Sequence, residues 1–147
     1  MALISATEQQ KLRESFGALT RPVRLLFFTQ TLGCETCPMT RQILDELPPL
    51  SDKISIEEVN MILDAEKAKQ YGIDRAPGVA ILWLDEEGRE HDSRIRFLGA
   101  PSGYEFISLV QAVLLVGGRA SVLSDENRAR LAAVDQPVTM RVFTTPT

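Results

Sequence analysis

At 147 residues the chain has room for one domain, or for one domain and part of a second. Its 44% apolar and 24% charged residues fall in the ordinary globular range, and a formal charge of −4 with interspersed signs leaves no basic stripe for nucleic acid. No apolar run approaches the ~20 residues of a membrane span, and "MALISATEQQ" has no basic flank followed by a long apolar stretch, so a cytoplasmic location is expected.

In chain order, Ser5 and Glu8 have the spacing of a capping box. Leu12, Phe16 and Leu19 follow at helical intervals, which predicts a helix over about 6–19. Pro22 closes it. "VRLLFFT" (23–29) is almost continuously apolar, as a central strand buried on both faces should be. Beyond the cysteines, Met39, Ile43, Leu44 and Leu47 mark a second helix, stopped by Pro48 and Pro49. "KISIEEVNM" (53–61) alternates as a strand, and Asp64 caps a short helix to about Gln70. "YGIDRAPG" is a loop, "VAILWLD" (79–85) a strand, "EEGRE" a turn and "RIRFLG" (94–99) a further strand. That turn is too short for a parallel crossover, so its strands are antiparallel. Tyr104 to Val116 is a last amphipathic helix, ending at Gly117-Gly118. The order α-β-α-β-α-β-β-α predicts an α/β fold: a mixed four-stranded sheet flanked by helices.

Both cysteines lie in "LGCETCPMT" (32–40), directly after the first strand. Inside cells a close cysteine pair is more often catalytic or metal-binding than a structural crosslink. The placement puts Cys34 at or just before a helix start, where unpaired N–H groups and the helix dipole stabilise a thiolate. Cys37, about one turn further on, is shielded yet close enough to attack a mixed disulfide, so the spacing supplies an attacker and a resolver. Glu35, an anion between them, opposes thiolate formation. Two other readings stand beside the redox pair. A structural zinc site needs about four ligands, of which Cys34, Cys37 and His91 would supply three, and two cysteines can also be inert. The redox reading is favoured, with no bound metal.

With these features the chain resembles the thioredoxin superfamily over residues 22–117. The resemblance rests on a buried strand leading into Cys-X-X-Cys and on "KQYGIDRAPG", similar to the loop that places a cis-proline opposite the disulfide. It implies a thioredoxin-like fold, a cis bond at Pro77 and an Ala76 backbone that pairs with a bound substrate strand. It further implies a dithiol–disulfide oxidoreductase acting on protein disulfides through Cys34 and Cys37. No cofactor beyond that redox-active disulfide is expected, and a thioredoxin-reductase-like flavoprotein would be its partner. Several features depart from the pattern. Gly33 stands where tryptophan is usual, Glu35-Thr36 replaces Gly-Pro, and "VRLLFFT" lacks the buried acid of the first strand, leaving Glu57 or Glu58 as the guess for a proton acceptor. His91 and Trp83 read as hairpin and core residues.

The last residues echo the first: "RPVRLLFFT" (21–29) returns as "QPVTMRVFT" (136–144), and "SATEQQKL" as "SDENRARL". A repeat of this kind implies a second unit. The expected division is a thioredoxin-like domain over 1–118 and, over 119–147, a linker helix and the first strand of a truncated second unit. This plan resembles the tandem protein disulfide oxidoreductases (glutaredoxin-like proteins) of thermophiles. The flavoprotein subunit of alkyl hydroperoxide reductase has a similar plan, but its first unit lacks the cysteines that "CETC" retains. Val138 to Phe143 would then be an apolar strand without neighbours, expected to be mobile or to self-associate with another chain. The alternatives to an oxidoreductase of protein disulfides are an electron-transfer domain feeding a peroxidase system and a non-enzymatic redox- or metal-dependent interaction module.

Overall fold

A computed structural model describes residues 3–145. Helix α1 (Ala6–Phe16) begins at the expected capping box: the Ser5 hydroxyl accepts from the Glu8 amide, and the Glu8 carboxylate takes the Ser5 amide at 2.9 Å. The helix is shorter than its apolar spacing predicts, because it is capped at Gly17. Leu19 is still buried, from the turn that follows, where the Thr20 amide donates to Gly117 O at 2.8 Å. Periodicity recorded the burial of Leu19 and not its conformation.

Four strands, β1 (Val23–Thr29), β2 (Ile54–Asn60), β3 (Gly78–Leu84) and β4 (Glu90–Leu98), form one mixed sheet in the order β2-β1-β3-β4. β1 runs parallel to β2 and antiparallel to β3, and β3 pairs antiparallel with β4. Being central, β1 buries apolar residues on both sides. Val23, Leu25 and Phe27 enter one core with α1, α2 (Cys37–Asp45) and α4 (Tyr104–Val116). Leu26 and Phe28 enter a smaller core on the other face, with Ala68 of α3 (Ala65–Gln70) and Ile73. Each such side chain contributes about 1.5–3 kcal/mol on leaving water. Beside α3 that second face is lined by ion pairs, Arg24 with Glu57 and Glu90, and Lys67 with Glu57. α3 starts as expected, Asp64 accepting from the Lys67 amide.

Two differences from the sequence reading have physical causes. β4 begins at Glu90, four residues before the expected strand, because as an edge strand it carries polar residues that show no apolar alternation. Its register with β3 shifts between Ala80 and Leu82, near Arg94, which has φ +64°. The second lies in the tail, in its strand and not in its helix. A short helix α5 (Asp125–Ala132) forms with Ser124 as its cap, but none of its residues is buried. The strand expected at 138–143 is not formed: Val138, Met140, Val142 and Phe143 are exposed and join none of the four strands. A strand needs a neighbour to take its backbone groups, and this one has none among the described residues. No described helix is long and apolar enough to cross a membrane.

Candidate active site

β1 delivers the chain at Thr29, whose carbonyl accepts from the Met61 amide at 2.9 Å. In the loop that follows, the Gln30 side-chain amide donates to Leu32 O at 2.9 Å, and Gly33, at φ +74°, makes a left-handed turn that side chains disfavour. Cys34 comes next, disulfide-bonded to Cys37 with 5.4 Å between their Cα atoms. α2 begins at Cys37, with Pro38 beside it, where a missing N–H costs nothing. Cys34 therefore precedes the helix by three residues. The cap residue Thr36 makes no side-chain cap bond, so the first turn of α2 presents N–H groups and the positive end of its dipole to this loop. The two sulfur-bearing residues differ in access: Cys37 is 5% exposed, whereas Cys34 is half-buried. The buried stripe of α2 (Cys37, Thr40, Ile43 and Leu44) follows helical spacing and packs the helix onto the sheet.

The second loop reaches the same end. Gly78 opens β3 opposite Phe28, so Pro77 lies beside the exit of β1. The Ala76–Pro77 bond is cis. Pro77 is buried, and its carbonyl accepts from the Gly99 amide at 2.9 Å. A Cβ on Gly78 would stand 2.8 Å from Ile73 Cγ2 and 3.2 Å from Arg75 O, so a side chain here would push on Ile73 and on the backbone of the loop. Ala76 is half-buried against the same core as Cys34. Among the described residues its amide and carbonyl enter no backbone hydrogen bond. The fold thus gathers Cys34, Cys37, Ala76 and Pro77 at one end of the sheet.

No protein-family model matches the chain. A probable thioredoxin of Methanothermobacter thermautotrophicus is 33% identical over 78 residues, which span 52% of this chain and 80% of that protein. The chain belongs to the thioredoxin family. With its crosslinked pair, this thioredoxin-family chain is a thiol–disulfide oxidoreductase. Among solved structures, the N-terminal domain of the alkyl hydroperoxide reductase AhpF of Enterococcus faecalis (V583) superposes with a TM-score of 0.77 at 31% identity, covering 90% of this chain. A protein disulfide oxidoreductase of Aeropyrum pernix gives 0.70 at 24% identity over 88% of the chain, a likeness of fold. The chain spans 62% of the first of these structures and 54% of the second.

Among the described residues this thioredoxin-family site has no buried acid. Glu57 pairs with Arg24 and Lys67, and Glu58 is exposed and paired with Arg41 of α2, so neither is the buried carboxylate that the sequence reading sought. Lys67 is held above its usual pKa, first by its hydrogen bond to Glu57. His91 and Trp83 sit at the far end of the sheet, where Trp83 pairs with Val23 at the start of β1. Trp83 is not a closed core residue: its ring stacks on His91 at 4.1 Å, with the Arg21 guanidinium 3.9 Å from its centre. Asp85 accepts from the His91 ring at 2.9 Å and from Arg89, and this holds its carboxyl down at about 2, from an ordinary 3.8. The strand expected at 94–99 left out residue 91, so the cluster emerges only once β4 starts at Glu90 and sets residue 91 opposite residue 83.

Proposed function

We propose that this chain exchanges disulfides with protein substrates, with Cys34 as the attacking thiol and Cys37 as the resolving thiol. The observation that carries the reading is the unequal access of a bonded pair: Cys34 half-exposed before the helix, Cys37 5% exposed within it. In the reducing direction the Cys34 thiolate attacks one sulfur of a substrate disulfide, and the other leaves as a thiolate. Cys37 gives its proton to that thiolate and attacks the Cys34 sulfur, releasing the second substrate sulfur. The substrate gains two electrons and the pair is left oxidised, as seen here. Ala76 pairs its backbone with a substrate strand beside Pro77, a role supported by its lack of any other backbone hydrogen bond among the described residues. A flavoprotein disulfide reductase would restore the dithiol, in the cytoplasm, without a cofactor in this chain. The test is insulin reduction by dithiothreitol: the chain should accelerate it well above background, and no acceleration would defeat the reading.

One observation favours a second reading, electron delivery to a peroxidase: the likeness to the alkyl hydroperoxide reductase domain extends over 90% of the chain at 31% identity. Comparing rates on insulin and on an oxidised peroxiredoxin with the same reductant separates the two. A rate at least about ten-fold higher on the peroxiredoxin supports the dedicated carrier.

A further inference from the structure

Thr40 is the buried polar side chain of this molecule: among the described residues no other polar or charged residue is as enclosed, and its exposure is 0%. It lies three positions after Cys37 on the buried stripe of α2. Its hydroxyl donates to Thr36 O at 2.9 Å, and the same carbonyl receives the Thr40 amide at 2.9 Å. A carbonyl with two donors stays satisfied when one leaves. The Thr40 hydroxyl can therefore be withdrawn without orphaning the helix.

Helical side chains lean over the turn before their own Cα, so Thr40 covers the turn that contains Cys37. Residues three apart on a helix have Cβ atoms about 5–6 Å apart. Threonine in a helix divides between two χ1 wells, so its oxygen can leave the i−4 carbonyl for a second position over the preceding turn. For Thr40 the i−4 carbonyl is that of Thr36, and the residue at i−3 in the turn it covers is Cys37. When the disulfide opens, the Cys37 sulfur must develop negative charge at 5% exposure, and burial without a donor raises a thiol pKa. The cap residue Thr36 brings no side-chain bond to the first turn, and among the described residues no acid is buried to take the proton.

We propose that Thr40 is a positioning residue for the resolving step, its hydroxyl turning from Thr36 O to the Cys37 sulfur once the disulfide opens and stabilising the attacking thiolate there. The inference rests on Cys37 being the resolving thiol. In that step the Cys37 proton passes to the thiolate released by the first exchange. The Cys37 sulfur bonds to the Cys34 sulfur, and the Cys34–substrate bond breaks with its electron pair on the substrate. Thr40 keeps its own proton throughout.

The experiment titrates the Cys37 thiolate by its ultraviolet absorbance in the full chain carrying Cys34→Ser, alone and with Thr40→Val or Thr40→Ser. A hydrogen bond to a charged group predicts a midpoint raised by about one pH unit in Thr40→Val. Thr40→Ser, which keeps the hydroxyl and loses only a methyl, should hold the original midpoint. In the chain with both cysteines, Thr40→Val should slow resolution of a preformed mixed disulfide about ten-fold at neutral pH and recover at alkaline pH. An unchanged midpoint in Thr40→Val, or an equal shift in Thr40→Ser, overturns the proposal. Because the titration needs no turnover, it decides on Thr40 even if insulin reduction fails, which would count against the wider reading alone.

Discussion

The two ends of the sheet are built by opposite means. At one end, the Cys34 loop and the Ala76–Pro77 loop are shaped by backbone: a left-handed Gly33, a cis bond, and a glycine at 78 packed closely against Ile73 and Arg75 O. At the other, roughly 20 Å away along the seven residues of β1, side chains lock the structure. Arg21 lies on Trp83, Trp83 stacks on His91, His91 bonds Asp85, and Arg21 Nε donates to Val116 O at 2.7 Å, tying in the end of α4. The lesson is a division of labour. The disulfide end leaves Ala76 without a backbone hydrogen bond and one sulfur half-buried, while the other end spends its aromatic and charged groups on cohesion.

That division can be broken most severely at the cysteines. Cys34→Ser should abolish insulin reduction, and Cys37→Ser should accumulate a mixed disulfide with substrate, visible on a non-reducing gel. Loss of activity without any trapped species in Cys37→Ser would remove the distinction between attacker and resolver. At the cohesive end, Trp83→Ala should cost about 2 kcal/mol in denaturant unfolding, from lost burial, stacking and cation–π contact, with insulin reduction per folded molecule unchanged. A fall in that specific activity would couple the two ends. Deletion after Gly118 should cost under about 1 kcal/mol and leave one cooperative transition, since no described residue beyond it is buried. Loss of the transition would make residues 119–147 integral to the fold.

The smallest effect is a pH dependence. The Asp85 carboxyl is held at about 2 in the fold, against 3.8 when free, because the His91 ring and then Arg89 favour its charged form. Its contribution is full above its ordinary value and is lost as pH falls through that value toward the folded one. Thermal unfolding of the wild type should therefore weaken between about pH 4 and pH 2 more steeply than that of Asp85→Asn. Parallel curves would show that the carboxylate adds nothing to the hairpin.

The end that does chemistry was the more legible in the sequence, because its determinants are local. Cys34 and Cys37 stand three apart after an apolar strand, and Pro77 follows a recognisable loop. Ser5 and Asp64 announce their helices within four residues. What escaped depends on chain segments that meet only in the fold. Arg21 reaches Trp83 across the sheet, and the polar start of β4 is a strand only because β3 pairs with it. Thr40 looks like any surface threonine until α2 is laid on the sheet. The tail shows the converse: "QPVTMRVFT" echoes β1, but among the described residues no strand pairs with it, and it stays exposed and outside the sheet.

The measurement closest to the centre of this account is the order in which the two thiols react. The fully reduced chain, treated near neutral pH with limiting iodoacetamide and digested for mass spectrometry, should carry the label on Cys34 in at least about ten-fold excess over Cys37, as the exposed thiol at the amino end of a helix. Label found first on Cys37 would contradict the assignment of attacker and resolver, and with it the proposed direction of the exchange.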